Sequence, residues 1–451
     1  MAFSTVNPTT GEVEKTFEPH SEGQVQARLA RAAAGFGELA ALGFAERARL
    51  MTGAAELLEG ELPDVARMLT TEMGKTFASA KAEAAKCAMA MRWFAEHAEE
   101  LLAEDRIGEH GAVRYEPLGP VLAVMPWNFP LWQVVRFAAP ALMAGNVGLL
   151  KHASNVPQTA LFLEDLFRRA GFPEGSFGTL LVGHEVLERV IADDRVAAVT
   201  LTGSERAGMA VAEAAGRALK KCVLELGGSD PFVVLASADV DRAAEVGVQA
   251  RVQNNGQSCI AAKRFVVERP VYDRFVERFT DLMVGLTVGD PMDPATDVGP
   301  LVSETQRDEL ASQVEDARSR GATVRCGGAA PDRPGWFYEP TVLTEVTTDM
   351  KVLTQEVFGP AATVEPAADL EEAIAIANRT QYGLGASVWT TDEAERRRCV
   401  AGIRSGQVFV NAMVASMPEL PFGGIKRSGY GRELSALGIK EFCNAKSVYV
   451  A

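Results

Sequence analysis

The sequence has little of what marks several large classes of protein. It contains six cysteines in 451 residues and no Cys-x-x-Cys pair, so it predicts neither a disulfide framework nor a structural zinc site and is typical of a reducing compartment. Its longest apolar runs, such as residues 121–125 and 138–143, are interrupted by proline or glycine well before they reach the length of a membrane span. No metal site and no membrane-spanning segment are therefore predicted.

The sequence also lacks a net positive charge and a basic N-terminal leader. Sixty acidic side chains against 45 lysines and arginines give a net charge of −15, which disfavours attraction to nucleic acid or to an anionic membrane. Residues 1–15 have no basic stretch followed by an apolar run, so a secretory signal is not expected. We predict a cytoplasmic protein with a small-molecule substrate, in which local donors must hold any anionic group.

What is present is the composition of a globular protein of two or three domains. The chain is 47% hydrophobic and 23% charged, which argues against a disordered or fibrous protein. Residues 25–58 and 64–102 have helical periodicity, so the first hundred residues are predicted to be mostly amphipathic helix. The chain ends in an alternating, strand-like pattern at residues 446–451, and an unpaired terminal strand would be a sheet edge that invites a partner.

Short apolar segments alternate with helical stretches after residue 114. They lie at residues 121–125, 147–151, 178–182, 196–203 and 222–228, and a second series includes residues 231–235, 263–267 and 385–390. Strands that are apolar throughout and have helices between them indicate parallel sheets covered on both faces. The predicted fold class is therefore α/β, with two parallel-sheet domains in tandem.

A nucleotide site is expected near strand ends in such a fold. The Gly-x-Gly-x-x-Gly fingerprint is absent, and the nearest approach, at residues 35–40, lies in a helical region and follows no strand. Residues 200–208 are a better candidate, because a strand there ends in Thr-Gly-Ser and a helix-forming run follows. Gly203 and Ser204 can then present backbone N–H groups to an anion, or Ser204 can simply be the N-cap of the helix.

Three residues are candidates for chemistry, and each has a structural alternative. Asn128 sits between two prolines, where a held amide suits either an oxyanion donor or a stabilised turn. Glu225 ends an apolar strand before two glycines, and it is either partnered structurally or poised as a base with a raised pKa. Cys259, in NNGQSCIAAKRF, is either a nucleophile or a small buried hydrophobe. No single segment decides among these alternatives.

The combination of segments is informative. In order along the chain stand PWNFP (126–130), LLKHAS (149–154), LTGS (201–204), ELGG (225–228), GQSC (256–259), EVFGP (356–360) and PFGGIKRSG (421–429). This series resembles the aldehyde dehydrogenase superfamily along nearly the whole chain. The resemblance implies an unorthodox Rossmann-like NAD(P)-binding domain (1–98 and 118–227), a catalytic domain (228–430) and a small β oligomerisation flap (99–117 and 431–451). It also implies a homodimer or homotetramer.

The resemblance implies a role for each of the three candidates. Cys259 would attack the aldehyde carbon as a thiolate, and the Asn128 amide with the Cys259 backbone N–H would meet the oxyanion. After hydride loss to a nicotinamide, Glu225 would activate the water that hydrolyses the thioester. An enzyme that passes the acyl group to coenzyme A could do without that base, so Glu225 favours release of a free acid.

Two rival classes are compatible with parts of the sequence. A Cys–His hydrolase also needs a cysteine nucleophile, but all five histidines precede Cys259 and none sits in a recognisable partner motif. A non-catalytic structural or binding protein on the same fold would be expected to lose the nucleophile, whereas this chain keeps Cys259, Glu225 and Asn128 together. The sequence therefore favours an NAD(P)-dependent dehydrogenase.

The cofactor residues are carried over from the same resemblance. Lys151 and Ser154 would lie at the adenosine ribose, Gly203 and Ser204 near the pyrophosphate and Glu356 on the nicotinamide ribose, with Trp127 and Phe358 completing the set. Many NAD-preferring relatives carry glutamate at the position of Ser154, where a carboxylate would repel a 2′-phosphate. A neutral Ser154 beside Lys151 predicts that NADP is preferred and that NAD is also used.

The identity of the substrate is the most specific prediction from the sequence. The wording KHASNVP, CIAAKRF and PFGGIKRSGYGREL is similar to bacterial succinate-semialdehyde dehydrogenases, which implies that Arg136, Trp132 and Ser416 bind the distal carboxylate of succinate semialdehyde. The alternatives are that Arg136 forms a salt bridge at a subunit or domain interface and that the substrate is another small aldehyde. Some of these enzymes carry a second cysteine two residues after the nucleophile, where this chain has Ala261, so no disulfide switch is predicted there.

Overall fold

Four β-sheets and the helices between them make up the computed structural model, which describes residues 3–451. The helices are Glu22–Ala41 (α1), Phe44–Gly60 (α2), Leu62–Met73 (α3), Phe77–Leu101 (α4), Trp132–Ala144 (α5), Pro157–Arg169 (α6), His184–Ala192 (α7), Glu205–Arg217 (α8), Val240–Val252 (α9), Arg269–Val284 (α10), Glu304–Ser319 (α11), Lys351–Thr354 (α12), Leu370–Asn378 (α13), Glu393–Gly402 (α14) and Ser435–Lys440 (α15). Short 3₁₀ turns occupy Gln253–Gly256 and Lys426–Ser428.

The strands follow the predicted apolar segments closely. They are Phe3–Val6 (β1), Val13–Phe17 (β2), Asp105–Ile107 (β3), Gly111–Pro117 (β4), Pro120–Met125 (β5), Val147–His152 (β6), Phe177–Thr179 (β7), Ala198–Thr202 (β8), Lys221–Glu225 (β9), Pro231–Val234 (β10), Arg264–Glu268 (β11), Thr323–Cys326 (β12), Thr341–Thr344 (β13), Ala361–Ala367 (β14), Ser387–Trp389 (β15), Phe409–Val410 (β16), Gly429–Tyr430 (β17) and Cys443–Tyr449 (β18). The α/β fold class is confirmed.

The N-terminal region is mostly helical, as its periodicity predicts. Ser21 begins α1 with a capping box, in which it and Gln24 each bond the other's backbone. The chain leaves the helical path at Leu42 and Gly43, so residues 25–58 form parts of two helices. The short antiparallel hairpin of β1 and β2 was not predicted. Residues 35–40 lie inside α1, where Gly35 lets the helix pack closely on the carbonyl of Glu174.

The first large sheet has six strands in the order β17-β9-β8-β5-β6-β7, and all but β17 run parallel. Strands β5 and β8 are almost wholly buried, as expected for a sheet covered on both faces. The carboxyl ends of β5, β8 and β9 meet at one edge, so the turn containing Asn128, the Gly203–Ser204 turn and Glu225 are brought together. This edge positions the candidate site.

The second large sheet has seven strands in the order β12-β13-β14-β11-β10-β15-β16. It is parallel except for the edge strand β12, which runs antiparallel to β13. The segment that carries Cys259 connects α9 to β11, the central strand of this sheet. Cys259, from this segment, lines a cavity together with residues at the carboxyl edge of the first sheet.

A three-stranded sheet in the order β18-β4-β3 contains the C-terminal strand. Strand β18 pairs with β4 along its whole length, from Cys443 opposite Pro117 to Tyr449 opposite Gly111. The C-terminal strand therefore has β4 of its own chain as a partner on one side, so the prediction of an unpaired strand is wrong there. Its other side is a sheet edge. The predicted domain boundaries stay predictions, and β17, from the range assigned to the catalytic domain, completes the first sheet. Within residues 3–451, no helix has the length and apolar character needed to span a bilayer.

Candidate active site

Two cavities share Cys259 in their walls. The first, here called the α4 cavity, has a volume of about 480 Å³ and is bordered by α4, α5 and the segment around Ser416. The second, the sheet-edge cavity, has a volume of about 460 Å³ and lies at the carboxyl ends of β5, β8 and β9. Gln133 also lines both. A thiol at this position can contact one molecule in each cavity.

The loop before Cys259 is held in a conformation that few residues tolerate. Asn254 and Asn255 both have left-handed backbone angles, with φ of 56° and 57°, which asparagine accepts more readily than most residues. The Asn255 amide donates to the carbonyls of Gly74 and Pro300 at 2.8 and 2.9 Å. Gly256 packs so closely that a Cβ would lie 2.3 Å from the carbonyl carbon of Gly359. The pair of asparagines and the glycine therefore fix the nucleophile loop.

Lys263 holds the same loop from the other side. Its Nζ donates to the carbonyl oxygens of Ser258, Cys259 and Ala261 at 3.0, 2.8 and 3.3 Å. Burial lowers the pKa of this ammonium, and the nearby Glu356 carboxylate, 3.7 Å away, acts against that shift. One ammonium group therefore binds three backbone carbonyls of the same turn and fixes its conformation. This positioning role was not predicted from the sequence.

Removing the Lys263 ammonium is expected to loosen the nucleophile loop. Lys263→Met should lower kcat by about ten- to hundredfold, because three buried carbonyls lose their common donor and the thiol loses its fixed position. Steady-state kinetics and the rate of Cys259 alkylation would measure the effect. Lys351→Met removes an exposed lysine and is the matched control. Equal kcat values for the two variants would contradict the positioning role.

Asn128 and Cys259 lie together on the sheet-edge cavity. The Asn128 side chain is buried, and its Nδ2 donates to the Gln257 carbonyl at 3.1 Å, while the backbone carbonyl of Asn128 accepts from Asn254 Nδ2 at 2.7 Å. Burial raises the pKa of the Cys259 thiol to about 12, and the positive charges of Arg136 and Lys263 act in the opposite direction. Formation of the thiolate therefore needs further positive charge or a base.

Glu225 lies at the end of β9 but its side chain faces away from both cavities. A Cβ on Gly423 would be 2.5 Å from its Oε1, so the carboxyl group packs against the C-terminal segment. Burial, and then the negative charge of Glu433, raise the pKa of Glu225 well above its usual value. Among residues 3–451, neither of its oxygens has a hydrogen-bond partner. The raised pKa favours the protonated form of this carboxyl group, which lines neither cavity in this conformation.

Arg136 is already paired. Its guanidinium forms a salt bridge with the buried Glu433, donates from Nη2 to Thr202 Oγ1 at 3.3 Å and stacks on the Phe422 ring. The side chain is only 1% exposed, although it borders the α4 cavity. The structure thus matches the salt-bridge alternative, with both partners in one chain. A role in substrate binding stays a prediction.

Lys86 is a residue that the sequence predictions missed. Its Nζ donates to Ser416 Oγ at 2.9 Å, and Trp132 Nε1 donates to the same oxygen at 2.9 Å. The ammonium also lies 4.1 Å from the centroid of the Trp132 ring. Burial lowers its pKa to about 8. The only signal in the sequence is a lysine beside the buried stripe of a helix otherwise rich in alanine.

The comparisons with known proteins agree along the whole chain. The model named "Aldehyde dehydrogenase family" matches residues 1–448. The chain belongs to the aldehyde dehydrogenase family. It is 60% identical, over all of this chain and 97% of the relative, to "Succinate-semialdehyde dehydrogenase [NADP(+)]" of Mycobacterium avium (strain 104). It is 58% identical over the full length of both chains to "Succinate-semialdehyde dehydrogenase [NADP(+)] 1" of Mycobacterium tuberculosis (strain H37Rv).

Solved structures of similar proteins have the same fold. Gox0499, whose structure is described in terms of cofactor and substrate selection, is 42% identical with a TM-score of 0.98, and the match covers 100% of both chains. Succinic semialdehyde dehydrogenase from Streptococcus pyogenes, in complex with NADP+ as the cofactor, is 38% identical with a TM-score of 0.97 over 100% of both chains. The resemblance read from the seven segments is confirmed at the level of family and fold.

Five of the seven residues predicted to hold the cofactor of this family member line the sheet-edge cavity: Trp127, Gly203, Ser204, Glu356 and Phe358. Ser204 also caps α8, since its hydroxyl accepts from the Ala207 N–H at 3.3 Å. Its contact with an anion stays a prediction.

Lys151 and Ser154 lie outside that cavity. Lys151 lies near the end of β6, opposite Val124 of β5 at the same sheet edge, and Ser154 follows that strand. Burial lowers the pKa of Lys151, and the charge of Glu185 opposes this. Their contact with a cofactor stays a prediction.

Proposed function

We propose that this protein oxidises succinate semialdehyde to succinate and reduces NADP+, with NAD+ as a poorer substitute. The position of Cys259 in the walls of two cavities carries the proposal, because it lets one thiol face an aldehyde on one side and a cofactor on the other. The relatives quoted above, at 58–60% identity, carry names for this activity.

The chemistry follows from the residues at the junction. The Cys259 thiolate forms a bond to the aldehyde carbon, and the developing oxyanion accepts from the Asn128 amide and from the Cys259 backbone N–H. Loss of hydride converts the adduct to a thioester. Glu225 then turns from Gly423 toward the sheet-edge cavity, whose wall includes its neighbours Leu226 and Gly227, and releases its own proton to solvent. The carboxylate takes a proton from the water that attacks the thioester, and the C–S bond breaks to release the acid and the Cys259 thiolate.

The sheet-edge cavity fits a nicotinamide dinucleotide. It lies at the carboxyl edge of a parallel sheet, where Gly203 and Ser204 precede the 13-residue helix α8. The backbone N–H groups at the N-terminus of this helix can bind an anion. The Trp127 and Phe358 rings meet edge to face on its wall, with centroids 5.6 Å apart. When bound, the dinucleotide supplies the hydride acceptor. Lys151 and Ser154 are assigned to the 2′-phosphate that distinguishes NADP.

The α4 cavity is assigned to the aldehyde. Trp132, Arg136 and Ser416, the three predicted substrate residues, all border it together with Cys259. A donor cluster at one end and a thiol at the other suit a short aldehyde with a distal carboxylate. An uncharged aldehyde would form no charge-assisted hydrogen bond at that end of the cavity and is therefore expected to bind less tightly.

Assembly and location complete the proposal. We assign the three-stranded sheet to contacts between subunits of a homodimer or homotetramer, because Ile107 and Tyr449, on β3 and β18, are 61% and 74% exposed. The assigned compartment is the cytoplasm. Light scattering of the purified protein measures the oligomeric state, and a monomer would contradict the assignment.

A matched panel of substrates tests the function. We expect kcat/KM for succinate semialdehyde to exceed that for butanal by about a hundredfold, since butanal has the same carbon chain without the carboxylate. We also expect a higher kcat/KM with NADP than with NAD, and succinate as the product. Preference for butanal, or a clear preference for NAD, would contradict the corresponding part of the proposal.

A further inference from the structure

The start of helix α5 is held by a side chain from another helix. Leu131, at the N-terminal end of α5, supplies no side-chain cap, so the backbone N–H groups there need acceptors from elsewhere. Oε1 of Glu83, on α4, accepts from the N–H groups of Leu131 and Trp132 at 2.9 Å each. A carboxylate at a helix N-terminus is also favoured by the helix dipole. Glu83 therefore fixes the start of α5, directly after the turn that contains Asn128.

Lys75 neutralises the carboxylate that makes these bonds. Its Nζ donates to Oε2 of Glu83, and the two side chains are 0% and 1% exposed. A carboxylate buried this deeply without a cation would be strongly destabilising. The ammonium also lies 4.3 Å from the centroid of the ring of Phe129, the residue after Asn128. The Lys75–Glu83 pair thus contacts the end of this turn at two places, Phe129 and Leu131.

The backbone next to Lys75 reaches the nucleophile loop. Gly74 has a left-handed conformation, with φ of 83°, and it packs too closely on neighbouring backbone to leave room for a side chain. Its carbonyl accepts from the Asn255 amide at 2.8 Å. Gly74 therefore contacts the loop that precedes Cys259, while Lys75 contacts the turn that contains Asn128. Two adjacent residues link the nucleophile to its candidate oxyanion donor.

The Asn128 amide has one proton left for an oxyanion. A side-chain amide carries two N–H donors, and Nδ2 of Asn128 gives one of them to the Gln257 carbonyl at 3.1 Å. The direction of the other depends on the conformation of the turn, because the side chain is buried. An error of about 1 Å in the position of such a group can lower a rate by about a hundredfold. The groups that hold the turn therefore bear directly on catalysis.

We infer that the Lys75–Glu83 ion pair positions the Asn128 amide toward the oxyanion of the Cys259 adduct. Glu83 acts through the first turn of α5, and Lys75 acts through Glu83 and the Phe129 ring. Both oxygens of Glu83 are engaged within the protein, so the pair consists of positioning residues. The inference rests on the proposed function, which assigns the oxyanion to Asn128, and it names the groups that hold this donor in place.

Removal of both charges tests the inference. Lys75→Met combined with Glu83→Gln, here called the neutral double variant, keeps similar volumes, leaves no single charge buried and retains one acceptor for the α5 N–H groups. We expect kcat to fall by about tenfold with succinate semialdehyde and equally with butanal, because both substrates form the same oxyanion. KM should stay within about threefold of the wild-type value, since the donor acts on the transition state.

A second double variant grades the effect. Lys75→Met combined with Glu83→Met, here called the acceptor-free double variant, removes the acceptor as well as both charges and should lower kcat by about a hundredfold. The neutral amide of the first double variant thus restores part of the rate. Equal kcat values in the two double variants would show that the bonds to the start of α5 are not used, which would overturn the inference.

An exposed ion pair between α4 and α2 provides the matched control. Arg92 Nη2 donates to Glu59 Oε2 at 2.6 Å, and the two side chains are 41% and 44% exposed. Arg92→Met combined with Glu59→Gln should change neither kcat nor KM. A loss of kcat as large as that of the neutral double variant would show a general effect of removing a pair between helices and would overturn the inference.

The reactivity of the thiol separates the two parts of the site. Alkylation of Cys259 by iodoacetamide forms no oxyanion, and the bond from Asn255 to the Gly74 carbonyl does not depend on the substituted side chains. In the neutral double variant the alkylation rate, followed at Cys259 by mass spectrometry, should therefore stay within about threefold of wild type while kcat falls. A parallel loss of both rates would place the effect on the thiol and overturn the inference.

A double-mutant cycle decides whether the pair acts through Asn128. Asn128→Ala alone should lower kcat by about a hundredfold or more. Adding Lys75→Met and Glu83→Gln to it should lower kcat by no more than about twofold further, because the donor that the pair positions is already absent. Losses that multiply would show that the pair acts independently of the amide and would overturn the inference.

These results separate the inference from the function on which it rests. A wild-type enzyme with no preference for succinate semialdehyde over butanal contradicts the proposed substrate, while the cycle measured with butanal still supports or overturns the inference. Wild-type kcat in Asn128→Ala contradicts the oxyanion assignment and overturns the inference with it. If thermal unfolding shows that the acceptor-free double variant does not fold, the neutral double variant decides, and wild-type kcat in that variant overturns the inference alone.

Discussion

Cys259→Ala is expected to abolish aldehyde oxidation, with kcat/KM lower by about 10⁴-fold or more. Among residues 3–451, Cys259 is the only nucleophilic side chain that lines both cavities, and without it no adduct forms from which hydride can leave. The absorbance change that accompanies reduction of NADP+ measures the loss. Asn128 remains in place in this variant, so a residual rate would report on binding and oxyanion donors alone.

Cys326→Ala provides the matched control for the loss of a thiol. Cys326 is half-buried on the edge strand β12, where its thiol donates weakly to the Pro340 carbonyl. We expect wild-type kinetics for this variant and an unchanged melting temperature for both. If Cys259→Ala keeps most of the wild-type kcat/KM, the thiol is not the nucleophile. A similar loss in Cys326→Ala would show that the effect is structural.

Glu225→Gln is expected to separate the two halves of the reaction. Steady-state kcat should fall by about 10²–10³-fold, because the water that hydrolyses the thioester loses its base. The first turnover does not need that base, so a burst of about one NADPH per active site should remain. Stopped-flow absorbance measures the burst, and intact-protein mass spectrometry detects the acyl group retained on Cys259.

The same substitution has a consequence for stability. Burial and the negative charge of Glu433 raise the pKa of Glu225, so the folded state holds a proton that the unfolded chain releases. This contribution to the free energy of unfolding is present below the ordinary glutamate pKa and is lost as pH rises through the raised value. Glu225→Gln should therefore flatten that part of the pH dependence of thermal unfolding. Glu116→Gln, an exposed glutamate on β4 that pairs with Lys446, should not.

A different pattern would contradict the role of Glu225. If the burst disappears together with the steady-state rate, the residue is needed before or during hydride transfer. If both rates stay at wild-type values, hydrolysis uses another base, and Glu225 is then only a buried carboxyl group beside Glu433.

Sequence patterns predicted the parts of the fold that depend on local apolar character. Strands β5, β6 and β8 are apolar almost throughout, and they were predicted within two residues at most ends. The β1–β2 hairpin was missed because β2, VEKTF, is almost wholly exposed and has no apolar face to detect. The strand predicted at residues 178–182 is shorter in the structure, where β7 ends at Thr179, because Gly183 and the start of α7 follow closely.

The candidate site shows where local patterns stop being informative. Cys259 and Asn128 were assigned by resemblance, and the structure places both on the sheet-edge cavity. The direction of the Glu225 side chain depends on Gly423 and Glu433, near the other end of the chain, and no pattern around residue 225 encodes it. The contact of Lys86 with Ser416 likewise joins distant segments. Long-range pairings of buried charges arise from tertiary packing and have no periodic signature.

Strand β17 lies near the C-terminus of the chain, yet it belongs to the sheet formed by strands β5 to β9 of the first half of the chain. It completes the first sheet beside β9, and Glu433, in the segment after β17, pairs with Arg136. During synthesis the chain emerges from its N-terminus, so the first sheet waits for its last strand until nearly the whole protein has left the ribosome. A nascent chain that already carries Cys259 therefore lacks the finished wall of its own active site.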